Sequence, residues 1–361
     1  KGAIPEKQLR AFRRQWYQQV AGVENCLVGS TSILTRSGRA ELAELHDSIG
    51  EDFFSAWTGD GWSQARVYKT KEKLERCRVV LETGTAVESS PGHKFRVIGD
   101  DGLPTWRERK DIAVGDWMML SASSAAAPGV PTFLEHAITP EFAEALGWLH
   151  GDGYWARKGK GARAQWFYDP SELWIRDRHL AALAPYTSAA HAKDSVLSAE
   201  RMDELRESSG LDLKVETKHS IDVFDAKFAD ELLQLGFTPS SDDKLPAPFL
   251  YTAPDEIKGA FLRGRFSANG FCASRKTPGL SIANDRRRAH VRELLLSMGI
   301  RPNRSDGQET TAFGKRAHRG AIRVTDKNRF FELVGFIHDY KNIREVRANE
   351  SAKNDRVPRS V

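Results

Sequence analysis

Cysteine is scarce: Cys26, Cys77 and Cys272 are the only three among 361 residues. An odd number without paired metal-ligand spacing excludes a disulfide scaffold and a cysteine zinc site, and fits a reducing compartment. Long apolar runs are missing too, none approaching the about 20 residues that a membrane span requires. Residues 1–25 lack the apolar centre of a secretion signal, so the expected location is cytoplasmic. Charge of one sign does not dominate. The 54 Lys plus Arg against 49 Asp plus Glu leave +5, which permits nucleic-acid binding only where the basic residues cluster. Hydrophobic residues reach 40%, which excludes wholesale disorder, and the length allows two or three domains.

The texture of the chain changes along its length. Residues 6–19 carry Leu9, Phe12 and Trp16 at helical spacing after Pro5, predicting an amphipathic helix. From Cys26 to Ser121 short β-like runs alternate with turns: "CLVGSTSILT", "FFSAWT", "GWSQARVYKT", "RCRVVLET", "TAVESS", "HKFRVI" and "DIAVGDWMMLSA". "SASSAAAPGVP" then reads as a linker over 122–131. Beyond it the pattern is mixed. Helices are expected in "TPEFAEALGWLHG", "SAERMDELRESSG", "DAKFADELLQLGF", "TAPDEIKGAFLRGRFS", "NDRRRAHVRELLLSMG" and "DKNRFFELVGFI". Strands are expected in "RAQWFY", "LSIAN" and "GAIRVT". "ALGWLHGDG" at 145–153 and "LRGRFSANG" at 262–270 look like two copies of one element, about a hundred residues apart, which predicts an internal duplication.

A lone Cys or His in a β domain is ordinarily a packing residue. Here the ordered context changes that reading. "CLVGSTSILTRSG" from Cys26 resembles the amino-terminal block of an intein, and "SSPGHKF" supplies Ser90 and His93 where the second intein block has Thr-x-x-His. "IAVGDWMML" resembles the Gly-Asp strand near the end of that half. The resemblance implies an all-β Hint-type splicing domain over 26–121, incomplete at its carboxy-terminal end. The Cys26 thiol would attack the carbonyl of Asn25 in an N-to-S acyl shift at the Asn25–Cys26 bond. His93 would protonate the departing amide, and the Ser90 hydroxyl would hold that amide distorted. Splicing would need no cofactor. Residues 1–25 then belong to a host protein, and "EKQLRAFRRQWYQQVAGVEN" resembles a segment of tailed-phage portal proteins. That places the chain in a phage-infected or prophage-bearing bacterial cell; an unrelated host is the alternative.

The duplicated element resembles the helix motif of LAGLIDADG homing endonucleases, which inteins often carry at this position. Gly147 and Gly151 in the first copy, Gly264 and Ala268 in the second, would let two helices approach closely, with Ile257, Phe261 and Gly264 on one face. The resemblance covers most of 132–345 and implies an α+β pseudo-dimer within one chain, a monomer that binds double-stranded DNA and no membrane. It also implies Mg²⁺ held by one acid from each helix end. Asp152 keeps that acid, whereas Asn269 offers a neutral carbonyl oxygen and Ser267 replaces the acid before it. The expectation is a nuclease that is inactive or only nicks. Lys244 matches a basic residue sometimes placed near such active sites. DNA contact is expected from Arg157, Lys158, Lys160 and Arg163 after the first motif and from Arg275 and Lys276 after the second. Arg286, Arg287 and Arg288 are candidates for phosphate contact.

From Asn342 the polar stretch "NIREVRANESAKNDRVPRSV", whose residues 346–361 form the tail, shows no resemblance to the closing intein blocks, which would bring a penultimate His, a terminal Asn and a second nucleophile. These would come from the same gene or from a separate polypeptide in trans. Three readings stay open at this point. The chain is an intein precursor fragment, a phage portal protein interrupted by one, or a DNA-binding regulator on a decayed endonuclease scaffold.

Overall fold

The structure, a computed structural model, describes residues 26–341 except 60, 70–74, 82–84, 120–130, 160, 197–216, 241–244, 273–276, 283 and 311–315. The expected helices at 6–19 and 198–210, the linker, Asn25, Lys160, Lys244, Arg275 and Lys276 lie outside the described residues. The content is mixed α and β.

The first part runs to Met119. Strands β1 (Ser32–Thr35), β2 (Gly38–Glu41), β3 (Phe54–Trp57) and β4 (Trp62–Ala65) form an antiparallel sheet in the order β2-β1-β3-β4. Two hairpins follow, β5 (Cys77–Val80) with β6 (Ala86–Ser89) and β7 (Lys94–Ile98) with β8 (Pro104–Glu108). Two details depart from the expected all-β segment. Helix α1 (Leu42–Ile49) follows β2, and the Glu44 carboxylate in its first turn accepts the Glu41 amide at 3.3 Å. The strand expected around Trp117 shrinks to one bridge between Val97 and Met118. The Asp116 carboxylate accepts the Ala113 amide at 2.8 Å and Gly115 has φ +105°, so that stretch closes a turn instead.

The second part begins with the short pair β9 (Thr132–Phe133) and β10 (His136–Ala137). Two halves of the same plan follow. The first half is α2 (Pro140–Asp152), β11 (Gly153–Lys158), β12 (Gly161–Tyr168), α3 (Leu173–Leu183), β13 (Ala190–Val196), β14 (Thr217–Val223) and α4 (Ala226–Gln234). The second is α5 (Asp255–Asn269), β15 (Gly270–Cys272), β16 (Pro278–Ser281), α6 (Asp285–Ser297), β17 (Pro302–Thr310), β18 (Arg316–Val324) and α7 (Lys327–Leu333). Their sheets share one strand order, β11-β12-β14-β13 and β15-β16-β18-β17. Even the register corresponds: Gly153 pairs with Trp166 where Gly270 pairs with Leu280. Strands β13, β14 and β17 and helix α3 were not foreseen from the sequence.

Local chemistry sets the boundaries of the two motif helices. Pro140 opens α2 after the Thr139 hydroxyl accepts the Phe142 amide at 3.2 Å. Asp255 and Glu256 occupy the first turn of α5, where the helix dipole favours negative charge. Both helices stop at a glycine in extended conformation, Gly153 and Gly270, and the chain turns directly into a strand. A continuous apolar core from Phe133 to Ile337 joins the two halves. Trp166 seals α2 onto its sheet by donating its indole N–H to the Ala145 carbonyl at 2.7 Å.

Candidate functional site

Helices α2 and α5 touch backbone to backbone. A Cβ on Gly147 would run into the Phe261 carbonyl oxygen, and one on Gly264 would run into that of Glu144. Those two contacts are related by the same exchange of halves as the sheets, so the crossing point lies on the approximate twofold axis. One turn later, a Cβ on Gly151 would lie 2.7 Å from Ala268 Cβ and 2.9 Å from Asn269 Oδ1. The end of α2, with Asp152, therefore meets the end of α5, with Asn269. The expected pair is brought together.

Its surroundings do not suit a divalent metal. Arg265, one turn before Asn269 on α5, donates from Nη1 to Asn269 Oδ1, the oxygen a metal would need. Arg265 is 7% exposed and lies close enough to Asp152 for that charge to be felt. Burial and the like charge of Arg287 draw its pKa down to about 10 while Asp152 pushes it up. A hard cation wants several oxygens, preferably charged, and here it would find one carboxylate beside a guanidinium. No group of three His, Cys, Asp or Glu side chains that could hold a metal occurs among the described residues. Ser267 faces away: its hydroxyl is buried and accepts the Ile337 amide at 2.8 Å. Lys341, which the sequence did not single out, donates to the Ser267 and Gly270 carbonyls at 3.2 and 3.3 Å and so closes the end of α5.

The strands after α2 divide the expected DNA contacts between two faces. Side chains alternate along a strand, so neighbours Arg157 and Lys158 point opposite ways. Arg157 shares its face with buried Trp155 and forks onto Asp230 of α4 at 2.7 and 3.3 Å. Lys158 and Arg163 belong to the other face, which register extends to Gln165, Asp222, Ser220, Lys218 and Lys193. At its centre Asp222 is buried. Gln165 and Ser220 donate to it at 2.7 and 2.9 Å, and Arg163 lies 3.6 Å away. Burial opposes its ionisation, but those hydrogen bonds and the charges of Arg163 and Lys193 hold the carboxyl below its usual range. Lys218, lowered by burial and by Arg163, sits 4.3 Å above the Phe167 ring. In the second half Arg323 is exposed and pairs with Gly279 as Asp222 pairs with Gln165. Sequence reasoning missed Lys193, Lys218 and Arg323. The alternation in "TKHSIDV", Lys218, Ser220 and Asp222 against His219, Ile221 and Val223, was the available signal.

The Arg286–Arg288 run splits three ways. Arg286 pairs with Glu41 at 3.2 Å, and Arg288 is 5% exposed, donating to the Ile282 carbonyl at 2.6 Å and pairing with Asp285. Both guanidinium groups are thus committed within the protein. The charge of Arg287 reaches the helix ends, through Arg265.

A separate constellation surrounds Cys26. Its carbonyl accepts the Ser90 amide at 2.9 Å, the Ser90 carbonyl accepts the His93 amide at 3.1 Å, and Leu27 bridges Ser89. These bonds bring residues 26, 90 and 93 together in the fold. Burial lowers the pKa of His93, whose Nδ1 is enclosed with no partner among the described residues, against the edge of Phe95 at 4.8 Å. Cys26 and Ser90 line a cleft of about 680 Å³ with His46, Asp47 and Arg66.

No protein-family model matches the chain. Over 259 residues it is 27% identical to a DNA polymerase of Thermococcus litoralis, covering 67% of this chain and 14% of that protein. Over 116 residues it is 34% identical to a DNA polymerase of Thermococcus hydrothermalis, covering 29% of this chain and 7% of that protein. The chain thus matches only a small part of the length of these curated relatives. Among solved structures it is similar to the homing endonuclease I-WcaI bound to its DNA recognition sequence, with a TM-score of 0.40, 15% identity and coverage of 58% and 88% of the two chains. It is also similar to I-DmoI in complex with its target DNA in the presence of Mg, with a TM-score of 0.37, 12% identity and coverage of 55% and 96%.

Proposed function

We propose that the chain is part of an intein: a splicing half-domain beginning at Cys26 that carries a LAGLIDADG-type domain, which binds duplex DNA without cutting both strands. The observation that carries this reading is the helix crossing at Gly147 and Gly264, which sets two sheets of identical strand order about one axis. Two antiparallel ribbons so related present repeated surfaces to a double helix whose backbone is itself twofold related, and ribbons of this kind fit a major groove. Lys158, Arg163, Lys193, Lys218 and Arg323 supply the charge that phosphates require. The match to a small fraction of a much longer polymerase fits an inserted element. Electrophoretic mobility shift with a mixed-sequence duplex is expected to show salt-sensitive binding. Supercoiled plasmid with Mg²⁺ is expected to stay uncut or be nicked. Linear plasmid product, or no shift at low salt, contradicts the reading.

The splicing chemistry is favoured by its own observation, the hydrogen bond that ties Ser90 to Cys26. The Cys26 thiol adds to the Asn25 carbonyl carbon, the C–N bond breaks, and His93 delivers the proton to the departing nitrogen. Burial lowers the pKa of the His93 imidazole and so favours its neutral form. The imidazole first takes the thiol proton and then passes it on, which leaves the net charge unchanged. Intact mass after incubation with a strong thiol is expected to show release of a peptide ending at Asn25, absent in Cys26→Ala. Equal release from the variant contradicts the assignment.

A further inference from the structure

We infer that Arg265 is a built-in cation that takes the place of a divalent metal at the meeting helix ends, so that this surface engages DNA without a metal ion. The inference rests on the proposed reading of the helix pair and goes beyond it by assigning a residue that the motif comparison passes over.

Three observations converge. First, position: Arg265 lies inside the helix crossing, its Nη1 3.0 Å from where a Gly151 Cβ would stand and bonded to Asn269 Oδ1. Second, cost: the side chain is almost wholly enclosed, and its Nε is buried with no hydrogen-bond partner among the described residues. A buried guanidinium with an unmet donor loses its hydration, and that loss must be offset by a compensating charge. Asp152 is the anion whose attraction reaches it. Third, balance: one guanidinium within electrostatic reach of one carboxylate gives the same net charge as one divalent ion between two. The amide at 269 follows from this. An acid there would add an uncompensated negative charge or capture Arg265 as an ion pair one turn away, whereas the amide oxygen simply accepts its N–H.

Restoring the acid alone therefore does not restore a metal site, because the carboxylate introduced by Asn269→Asp would be held by Arg265. The probe is Mn²⁺, followed by the loss of its free-ion electron paramagnetic resonance signal on the full chain without DNA, so that failure of the DNA-binding reading leaves this test intact. Wild type and Asn269→Asp are expected to show no saturable site. Arg265→Leu/Asn269→Asp and Arg265→Met/Asn269→Asp are expected to bind one Mn²⁺ saturably, at concentrations at least tenfold below the highest at which Asn269→Asp shows no site. A saturable Mn²⁺ site in wild type or in Asn269→Asp overturns the inference. Should both double variants lose their melting transition, Asn269→Asp decides, since residue 269 is exposed and its substitution leaves the core untouched. In the same preparation, wild-type affinity for a mixed-sequence duplex is expected to agree within twofold between EDTA and Mg²⁺ at equal ionic strength. A tenfold gain with Mg²⁺ also overturns it.

Discussion

Gly147 and Gly264 set the distance between the two halves. Each faces a carbonyl oxygen of the other helix at a point where any side chain would collide with backbone, and backbone cannot rotate out of the way. Gly147→Ala and Gly264→Ala must therefore push the helices apart across a tightly filled core, at about 1–3 kcal/mol each. The two losses should be less than additive in the double variant, because one displacement relieves both clashes. Gly61→Ala is the comparison: open space surrounds that position, and an effect within about 0.5 kcal/mol is expected. Urea unfolding of wild type and the four variants measures these differences. Equal midpoints for Gly147→Ala and Gly61→Ala would remove the close crossing from the account.

At the scale of elements, strand β11 separates two functions one residue apart. Arg157 is held by Asp230 on the core side, so Arg157→Ala should lower stability and leave the salt dependence of DNA binding unchanged. Arg163→Ala and Lys218→Ala lie on the polar face and should each weaken binding to all sequences, reducing the slope of log K against log salt by about one. That difference was not legible in "WARKGKGARAQW", where composition groups the basic residues and only strand register separates them. The helix pair was legible because its glycines and terminal motifs sit at fixed spacing. Arg265 was not, since an arginine within a helix reads as a solvated residue until the partner helix is placed over it. Arg288 shows the same limit in reverse: its run of like charge suggested an open phosphate grip, and tertiary packing turned it inward. A further element contact joins the halves directly. Glu172 of the first accepts from His338 of the second at 2.9 Å and from the Asp169 amide at 3.0 Å. Burial works against the charge, but these bonds prevail and hold the carboxyl below its usual value. A depressed carboxylate stabilises the fold above its unfolded pKa of about 4.3 and loses that contribution as pH falls through the folded value. Wild type should therefore exceed Glu172→Gln by about 1.5 kcal/mol at neutral pH, with the gap closing below pH about 4. An unchanged gap at low pH would contradict the pairing.

Across the whole molecule, the first part depends on the second. Among the described residues its buried apolar side chains are few, chiefly Val79 and Val97, while the continuous core belongs to residues 133–337. What it lacks in core it recovers at the junction. Arg39 pairs with Glu293 at 2.5 Å, Glu41 with Arg286 at 3.2 Å, and Arg292 donates to the Thr85 hydroxyl at 2.8 Å. Helix α6 thus commits Arg286, Arg292 and Glu293 to holding the Cys26-bearing part. The hairpin that reaches it turns at Gly38, whose φ of +111° suits glycine and whose Cβ position is filled by the Pro248 carbonyl. Gly38→Ala imposes both a strained backbone, about 1–3 kcal/mol, and a clash with the second part. Wild type should melt in one calorimetric transition. Gly38→Ala should divide it, with the first part unfolding earlier and the second near the original temperature. If the junction also positions Ser90 and His93 against Cys26, thiol-induced release at Asn25 should fall in the same variant at temperatures below either transition. A single unshifted transition with undiminished release would mean that the two parts are neighbours without being coupled.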